Sequence, residues 1–186
     1  KRRAKHIDEM LVSLWKTYHL HQTSMSLNAV GGYGRRALHP RSDIDLAIIV
    51  EQELTPPQQE QLSLFLTCLW DFGLDIGQTV RTLSESIDAA STDITIATNL
   101  LDIRCLVGSK KHAQAIKEQL YQNEFWTSLS FCDAKMEEQE LRHNKAQNTA
   151  LYLEPNLKNN PGGLRDVHTI MWIAQKHFSL ANANAL

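Results

Sequence analysis

The residues of this sequence best suited to chemistry fall in one stretch, Ala29-Val30-Gly31-Gly32-Tyr33-Gly34-Arg35-Arg36-Ala37-Leu38-His39-Pro40-Arg41-Ser42-Asp43-Ile44-Asp45-Leu46. Side chains alternate along a strand, so Asp43 and Asp45 leave the same face ~7 Å apart at about 3.3 Å per residue, and their carboxylates can converge on shared ions. Such hard oxygen ligands suit magnesium or manganese. Two ions about 3.5–4 Å apart can steady the attacking and leaving oxygens of an in-line displacement at phosphorus. Upstream, Gly31 and Gly32 let the backbone close in on a ligand, and a helix starting there would turn free N–H groups toward an anion such as a triphosphate. Arg35 and Arg36 are placed to neutralise its β- and γ-phosphates, and Ser42 to donate a hydroxyl hydrogen bond to the same group. A lone Asp-x-Asp more often caps a turn beside a solvated strand edge, and a lone glycine pair is a common turn. Their succession is what points to metal-assisted chemistry at phosphorus.

Several elements must hold this stretch in place. Ile7, Met10, Leu11, Leu14, Trp15 and Tyr18 recur at helical steps and predict a helix with one buried stripe. Leu27–Val30 reads as a short strand ended by the glycines, and Ile44–Val50 as a second, apolar strand. Pro56-Pro57 opens a helix with Leu62, Phe65, Leu66, Leu69 and Trp70 on one face, and Gly73 stops it. A third strand follows over Leu74–Thr82, then a short capped helix from Ser84 to about Ala90. Asp93–Gly108 fits helix or strand equally. Beyond it the pattern is helical: Lys110–Tyr121, Asp133–Ala150, and, after a break from Glu154-Pro155 to Gly162-Gly163, a last helix expected to turn Val167, Ile170, Met171, Ala174 and Phe178 inward. The expected fold class is α/β (α+β), with a core over residues 1–108 and a helical region over 109–186.

Composition bounds the rest. A chain of 186 residues, 42% hydrophobic, suits one well-buried domain with a helical extension. A formal net charge of −2 gives no general reason to expect a nucleic-acid or membrane partner. Cys68, Cys105 and Cys132 are odd in number and lack zinc-ligand spacing, so a reduced, cytoplasmic protein is expected. No run approaches the roughly 20 apolar residues of a membrane span. Both ends read as cuts through a longer chain. Trp15, Trp70 and Trp172 sit on apolar helix faces and are expected in the core.

A hydrophobic residue, Gly-Gly, ten residues and Asp-hydrophobic-Asp-hydrophobic together resemble the signature of the polymerase-β-like nucleotidyltransferases. More narrowly, Val30-Gly31-Gly32-Tyr33-Gly34-Arg35, His39-Pro40, Ser42-Asp43-Ile44-Asp45-Leu46, Val80-Arg81-Thr82 and Pro161-Gly162-Gly163-Leu164-Arg165-Asp166 resemble the bacterial PII uridylyltransferase/uridylyl-removing enzymes. This resemblance runs from before Gly31 through Trp172. It departs from the usual family pattern at Ala37, where Glu is commoner, and at Gln78, where His is frequent.

The resemblance implies a polymerase-β-like core with a small mixed sheet, and transfer of UMP from UTP to a tyrosine of the PII signalling protein. Mg2+ or Mn2+ would be held by Asp43 and Asp45, and the nucleotide by Gly31, Gly32, Arg35, Arg36, Ser42 and Arg165. Arg165 and Asp166 would close the pocket from the helical region, although Asp166 also suits a helix start for its charge alone. A third carboxylate is expected at Asp75, in Leu74-Asp75-Ile76, with Asp102, in Leu100-Leu101-Asp102-Ile103-Arg104, as its rival. The family's UMP-removing activity belongs to a histidine-aspartate hydrolase domain, and this sequence has no adjacent His-Asp pair, so the transferase half alone is expected. Two alternatives stand beside this reading: an adenylyltransferase acting on glutamine synthetase, and a nucleotide-binding regulatory module without turnover. Choice of UTP over ATP rests on the resemblance and on no base-reading residue.

Overall fold

The apolar stripe beginning at Ile7 forms helix α1, Arg2–Thr17, with Ala4, Leu11 and Trp15 buried. The structure is a computed structural model that describes residues 2–39, 42–122, 125–145 and 156–179. After α1 come strand β1, Ser26–Ala29, a single helical turn α2, Gly31–Gly34, and strand β2, Ile44–Val50. Helix α3, Pro56–Asp71, begins with its prolines in the first turn, where their missing N–H groups matter least, and the Gln58 side chain accepts from the Thr55 N–H at 3.0 Å. Gly73, at φ +69°, then takes the left-handed conformation that lets the chain double back into β3, Ile76–Thr82.

Four strands form one mixed sheet in the order β3-β2-β1-β4, where β4 is Arg104–Val107. β1 runs antiparallel to both β2 and β4, whereas β2 and β3 are parallel and therefore need the long α3 crossover between them. Ile44, Leu46, Ile48 and Val50 of β2 enter the main core, with Trp15 of α1 meeting Phe65 of α3 edge-on at 5.2 Å between ring centroids.

The stretch between Asp93 and Gly108, open between helix and strand in the sequence, contains both. The Asp93 carboxylate accepts from the Thr95 and Ile96 N–H groups at 2.7 and 3.1 Å and so starts α5, Ile94–Leu101, after which the chain turns at Asp102 into β4. The short helix before it, α4, is Leu83–Thr92, and its cap is Thr82 rather than Ser84. Thr82 Oγ1 accepts from the Glu85 N–H at 3.2 Å while Glu85 accepts from the Thr82 N–H at 2.8 Å. Helices α6, Lys110–Tyr121, α7, Ser128–Lys145, and α8, Leu164–His177, complete the described elements. Residues 146–150 of the helix expected over Asp133–Ala150, and the break at Glu154-Pro155, lie outside the described residues.

Lys1–Gln119 form one compact unit and Leu120–Leu186 a second. Two burial expectations are corrected. Trp70 is 50% exposed at the end of α3, whereas Trp15 and Trp172 are buried as expected. In α8, Val167, Ile170 and Phe178 are exposed, Ile170 by 69%, and the buried stripe is Thr169, Trp172, Gln175 and Lys176. Satisfied polar heads explain the reversal. The Lys176 ammonium donates to the carbonyls of Leu120 and Gln122 at 2.6 and 2.8 Å, and Trp172 receives the buried Lys135 ammonium at 4.6 Å from its ring centroid. The three cysteines are unpaired, and among the described residues no helix is long and apolar enough to cross a membrane.

Candidate active site

Strand alternation decides which way Asp45 faces. Its neighbours Ile44 and Leu46 point into the core beneath α1 and α3, so Asp45 points from the opposite side of the sheet, half-buried, with Asp43 exposed just ahead of the strand. The Val30 N–H donates to the Asp45 carbonyl at 3.0 Å, which brings the glycine turn against the start of β2. Gly31, at φ +54°, lies so near that a Cβ on it would stand 3.4 Å from Asp45 Oδ2 and 3.1 Å from Asn99 Oδ1. The following turn is one turn long. It offers the N–H groups that open any helix, but too few aligned peptides for a large dipole.

The two arginines expected at the phosphates have different surroundings. Arg36, at φ +61°, ends the turn in the left-handed region and is exposed. Arg35 forms an ion pair with Asp102, whose side chain is only 4% exposed. Ser42 Oγ accepts from the His39 N–H at 3.1 Å, and the Ser42 N–H donates back to the His39 carbonyl, also at 3.1 Å. Pro40 and Arg41 lie outside the described residues.

Parallel pairing locates Asp75. With Ile44 opposite Ile76 and Asp45 opposite Gly77, the same register carried back one residue sets Asp75 beside Asp43, and the Ile44 N–H donates to the Asp75 carbonyl at 2.8 Å. Paired residues share a face, so an extended backbone leading into both strands would present Asp43 and Asp75 on the side of Asp45, at the head of two adjacent strands. Asp75 is exposed. Asp102 closes α5 instead, buried, and its backbone carbonyl presses on Gly34, where a Cβ would come within 2.1 Å of it.

A second set of residues fixes the glycine turn and left no trace in the sequence pattern. The Tyr33 phenol donates to Asp8 Oδ1 at 2.6 Å, and Arg104 forks the Asp8 carboxylate at 2.9 and 3.1 Å. Arg104 also donates to the carbonyls of Gly34 and Tyr33 at 3.1 and 3.3 Å. Burial, reinforced by Asp8, raises the Tyr33 phenol above its ordinary pKa, so it remains a donor. Asp8 and Arg104 are 96 positions apart, a separation at which no local periodicity or spacing could have joined them.

The remaining expected residues lie in the second unit. The Arg165 guanidinium stands over the Trp172 ring at 5.6 Å. Asp166 accepts from Arg142 at 2.5 Å, from the Gly162 N–H at 2.7 Å, and faces His143 Nε2 at 3.0 Å. Burial pushes the Asp166 carboxyl up, but these hydrogen bonds outweigh it and hold its pKa below the ordinary value.

The four-stranded mixed sheet with its helices is the expected α/β (α+β) architecture, with the Gly-Gly turn closed against the Asp-x-Asp strand. Comparison with known proteins narrows the class. The family described as GlnD PII-uridylyltransferase matches residues 130–186. The bifunctional uridylyltransferase/uridylyl-removing enzyme of Pseudoalteromonas translucida is 45% identical over 95% of this chain, and that of Haemophilus influenzae 42% identical over 96%. The chain spans only 20% and 21% of the lengths of those two relatives. A toxin–antitoxin crystal structure with AMP-PNP aligns with 76% of this chain and 96% of its own at 12% identity and a TM-score of 0.37, too low to bear on the fold. The chain thus corresponds to one stretch of the uridylyltransferase/uridylyl-removing enzymes, and the resemblance carried by its motifs is borne out.

Proposed function

We propose that this chain carries the UMP-transferring site of such an enzyme, with UTP as donor and a tyrosine of the PII signalling protein as acceptor. The observation that supports the proposal is the closure of the Gly31 turn on Asp45, with Asp75 brought to the head of β3 by its carbonyl's hydrogen bond to the Ile44 N–H. In the proposed reaction the tyrosine oxygen attacks the α-phosphorus of UTP, the bond from that phosphorus to the bridging oxygen breaks, pyrophosphate leaves, and the phenolic proton passes to Asp75. The names of the relatives and the resemblance of the motifs support UTP and PII as the substrates.

Mg2+ or Mn2+ is the proposed cofactor, with Asp43 and Asp45 as its protein ligands. Magnesium commonly takes one or two carboxylates and completes its shell with water and substrate phosphates. A pair of carboxylates suits that habit. Among the described residues no group of three His, Cys, Asp or Glu is placed to hold a metal by itself, so the proposed site includes the phosphates of the nucleotide. Bound there, the metal would neutralise phosphate charge and polarise the reacting oxygens. The glycine turn lets backbone N–H groups approach the triphosphate, the exposed Arg36 adds charge, and Ser42 retains its hydroxyl hydrogen for donation. Arg35, beside the turn and paired with Asp102, is proposed to add to that charge. The part expected of Arg165 rests on the resemblance alone.

Incubating the chain with PII protein, magnesium and α-labelled UTP or ATP tests the proposal. Label is expected on PII from UTP and none after chelation. Equal or faster transfer from ATP would move the assignment to an adenylyltransferase. Tight nucleotide binding with no transfer from either donor would favour a regulatory module.

A further inference from the structure

The geometry points to Gly77 and Asn99 as positioning residues that, with Gly31, form a three-sided seat for the Asp45 carboxylate. The inference rests on the reading of Asp45 as a metal ligand. Asp45 pairs with Gly77 across the parallel β2–β3 ladder, so a side chain at 77 would stand on the same face as the carboxylate. A Cβ built there would lie 2.8 Å from Asp45 Oδ1, closer than the 3.0 Å that real Cβ atoms essentially never breach. The obstruction cannot be relieved by a long, flexible side chain, because Asp45 has only two side-chain torsions.

Conformation does not require glycine at this position. The glycines with positive φ are Gly31, Gly73, Gly108 and Gly162, so Gly77 has a backbone that any residue could adopt. Glycine inside a strand weakens it, having no side chain to pack and more backbone entropy to lose. Space is therefore the property that Gly77 supplies, and Asp45 Oδ1 is the atom that occupies it. The opposite oxygen is treated in the same way. Asp45 Oδ2 lies 3.4 Å, and Asn99 Oδ1 3.1 Å, from the place where a side chain on Gly31 would begin.

Asn99 comes from α5, whose start is fixed by the Asp93 cap. It brings a neutral carboxamide to the same place over Gly31 that Asp45 Oδ2 approaches, and we take it as the third side of the seat. Neutrality matters at that position, because a second acid there would repel Asp45, whereas an amide adds polarity without charge. Two bare Cα positions and one amide thus confine Asp45 to a narrow set of rotamers, while Asp43 remains exposed. Groups that orient a metal ligand act through it, and their loss typically lowers metal affinity about 10–100-fold.

The test is titration of the chain with Mn2+ in the presence of a non-hydrolysable UTP analogue, followed by electron paramagnetic resonance, with thermal denaturation of each variant alongside. Asp45→Asn serves as the control that removes the ligand. Gly77→Ala is expected to weaken Mn2+ binding about 10–100-fold while still unfolding in one cooperative transition, since its backbone is one that alanine adopts freely. Asn99→Ala should weaken it about tenfold. Parent-like Mn2+ affinity in Gly77→Ala, with Asp45→Asn unable to bind, would overturn the seat and leave the metal reading standing. Failure of the parent to bind Mn2+, or undiminished binding by Asp45→Asn, would overturn both. Should Gly77→Ala not fold, Asn99→Ala decides, and parent-like affinity in that variant also overturns the seat.

Discussion

Two groups of carboxylates around the same glycine turn meet opposite surroundings. Beneath the turn, Asp8 takes the Tyr33 phenol and both arms of Arg104, and the buried Asp102 takes Arg35. At the head of β2 and β3, Asp43 and Asp75 are exposed, and among the described residues no hydrogen bond or ion pair reaches either carboxylate. Residue type and proximity to the motif are shared by both groups, so neither distinguishes them. The difference lies in what has already been supplied to each charge. Burying a carboxylate is expensive unless cations and donors meet it, and a carboxylate so met has little left to offer a ligand. Open carboxylates keep their lone pairs for an ion or a proton.

The largest effect should come from the proposed metal ligands. Asp45→Asn is expected to lower UMP transfer to PII by about 10³-fold or more, the equivalent of several kcal/mol of lost charge stabilisation, with the denaturation midpoint unchanged. Transfer within a few fold of the parent would break the comparison at its main point. In the saturated group the loss should appear in stability. Asp102→Ala strands a largely buried Arg35 and should cost about 3 kcal/mol in urea denaturation, the lower end for breaking a buried pair. Removing a single donor has less effect: Tyr33→Phe deletes the bond to Asp8 and should cost about 1.5 kcal/mol by the same measurement.

The smallest effect belongs to Asp166, the saturated carboxylate of the second unit. Its folded pKa lies below the ordinary value of 3.8, so its stabilisation is complete above that pH and is lost as pH falls through the folded value. Asp166→Asn should therefore flatten the acid limb of a stability–pH curve below about pH 4 and leave its shape near neutrality unchanged. An unchanged acid limb would remove Asp166 from the saturated group.

How far these distinctions could be read in the sequence follows from the range of the interactions. β2 and α6 have the expected limits because a continuous apolar run and a clear helical period are local signals. Asp93–Gly108 stayed ambiguous because its division depends on the Asp93 cap and on pairing of Arg104–Val107 with β1, a partner more than 70 positions away. The inward face of α8 was misjudged because burial there follows satisfied lysine heads and one tryptophan rather than aliphatic content. At the proposed site, the Gly31-Gly32 pair and the Asp43-x-Asp45 strand were visible in the sequence as a candidate motif. Asp8, Gly77, Asn99 and Arg104 were not, since each matters through a contact that the fold makes and no motif encodes.

The most direct test of the division between open and saturated carboxylates compares Asp75→Asn with Asp102→Asn, reading transfer rate, UTP affinity and urea midpoint for each. Asp75→Asn is expected to reduce transfer by about 10²-fold, the scale of general-base loss, with UTP affinity within a few fold and the midpoint unmoved. Asp102→Asn is expected to lower the midpoint while folded molecules transfer UMP within a few fold of the parent. If Asp102→Asn instead abolished transfer at an unchanged midpoint, and Asp75→Asn left transfer intact, the catalytic carboxylate would be the buried one and the account would be contradicted.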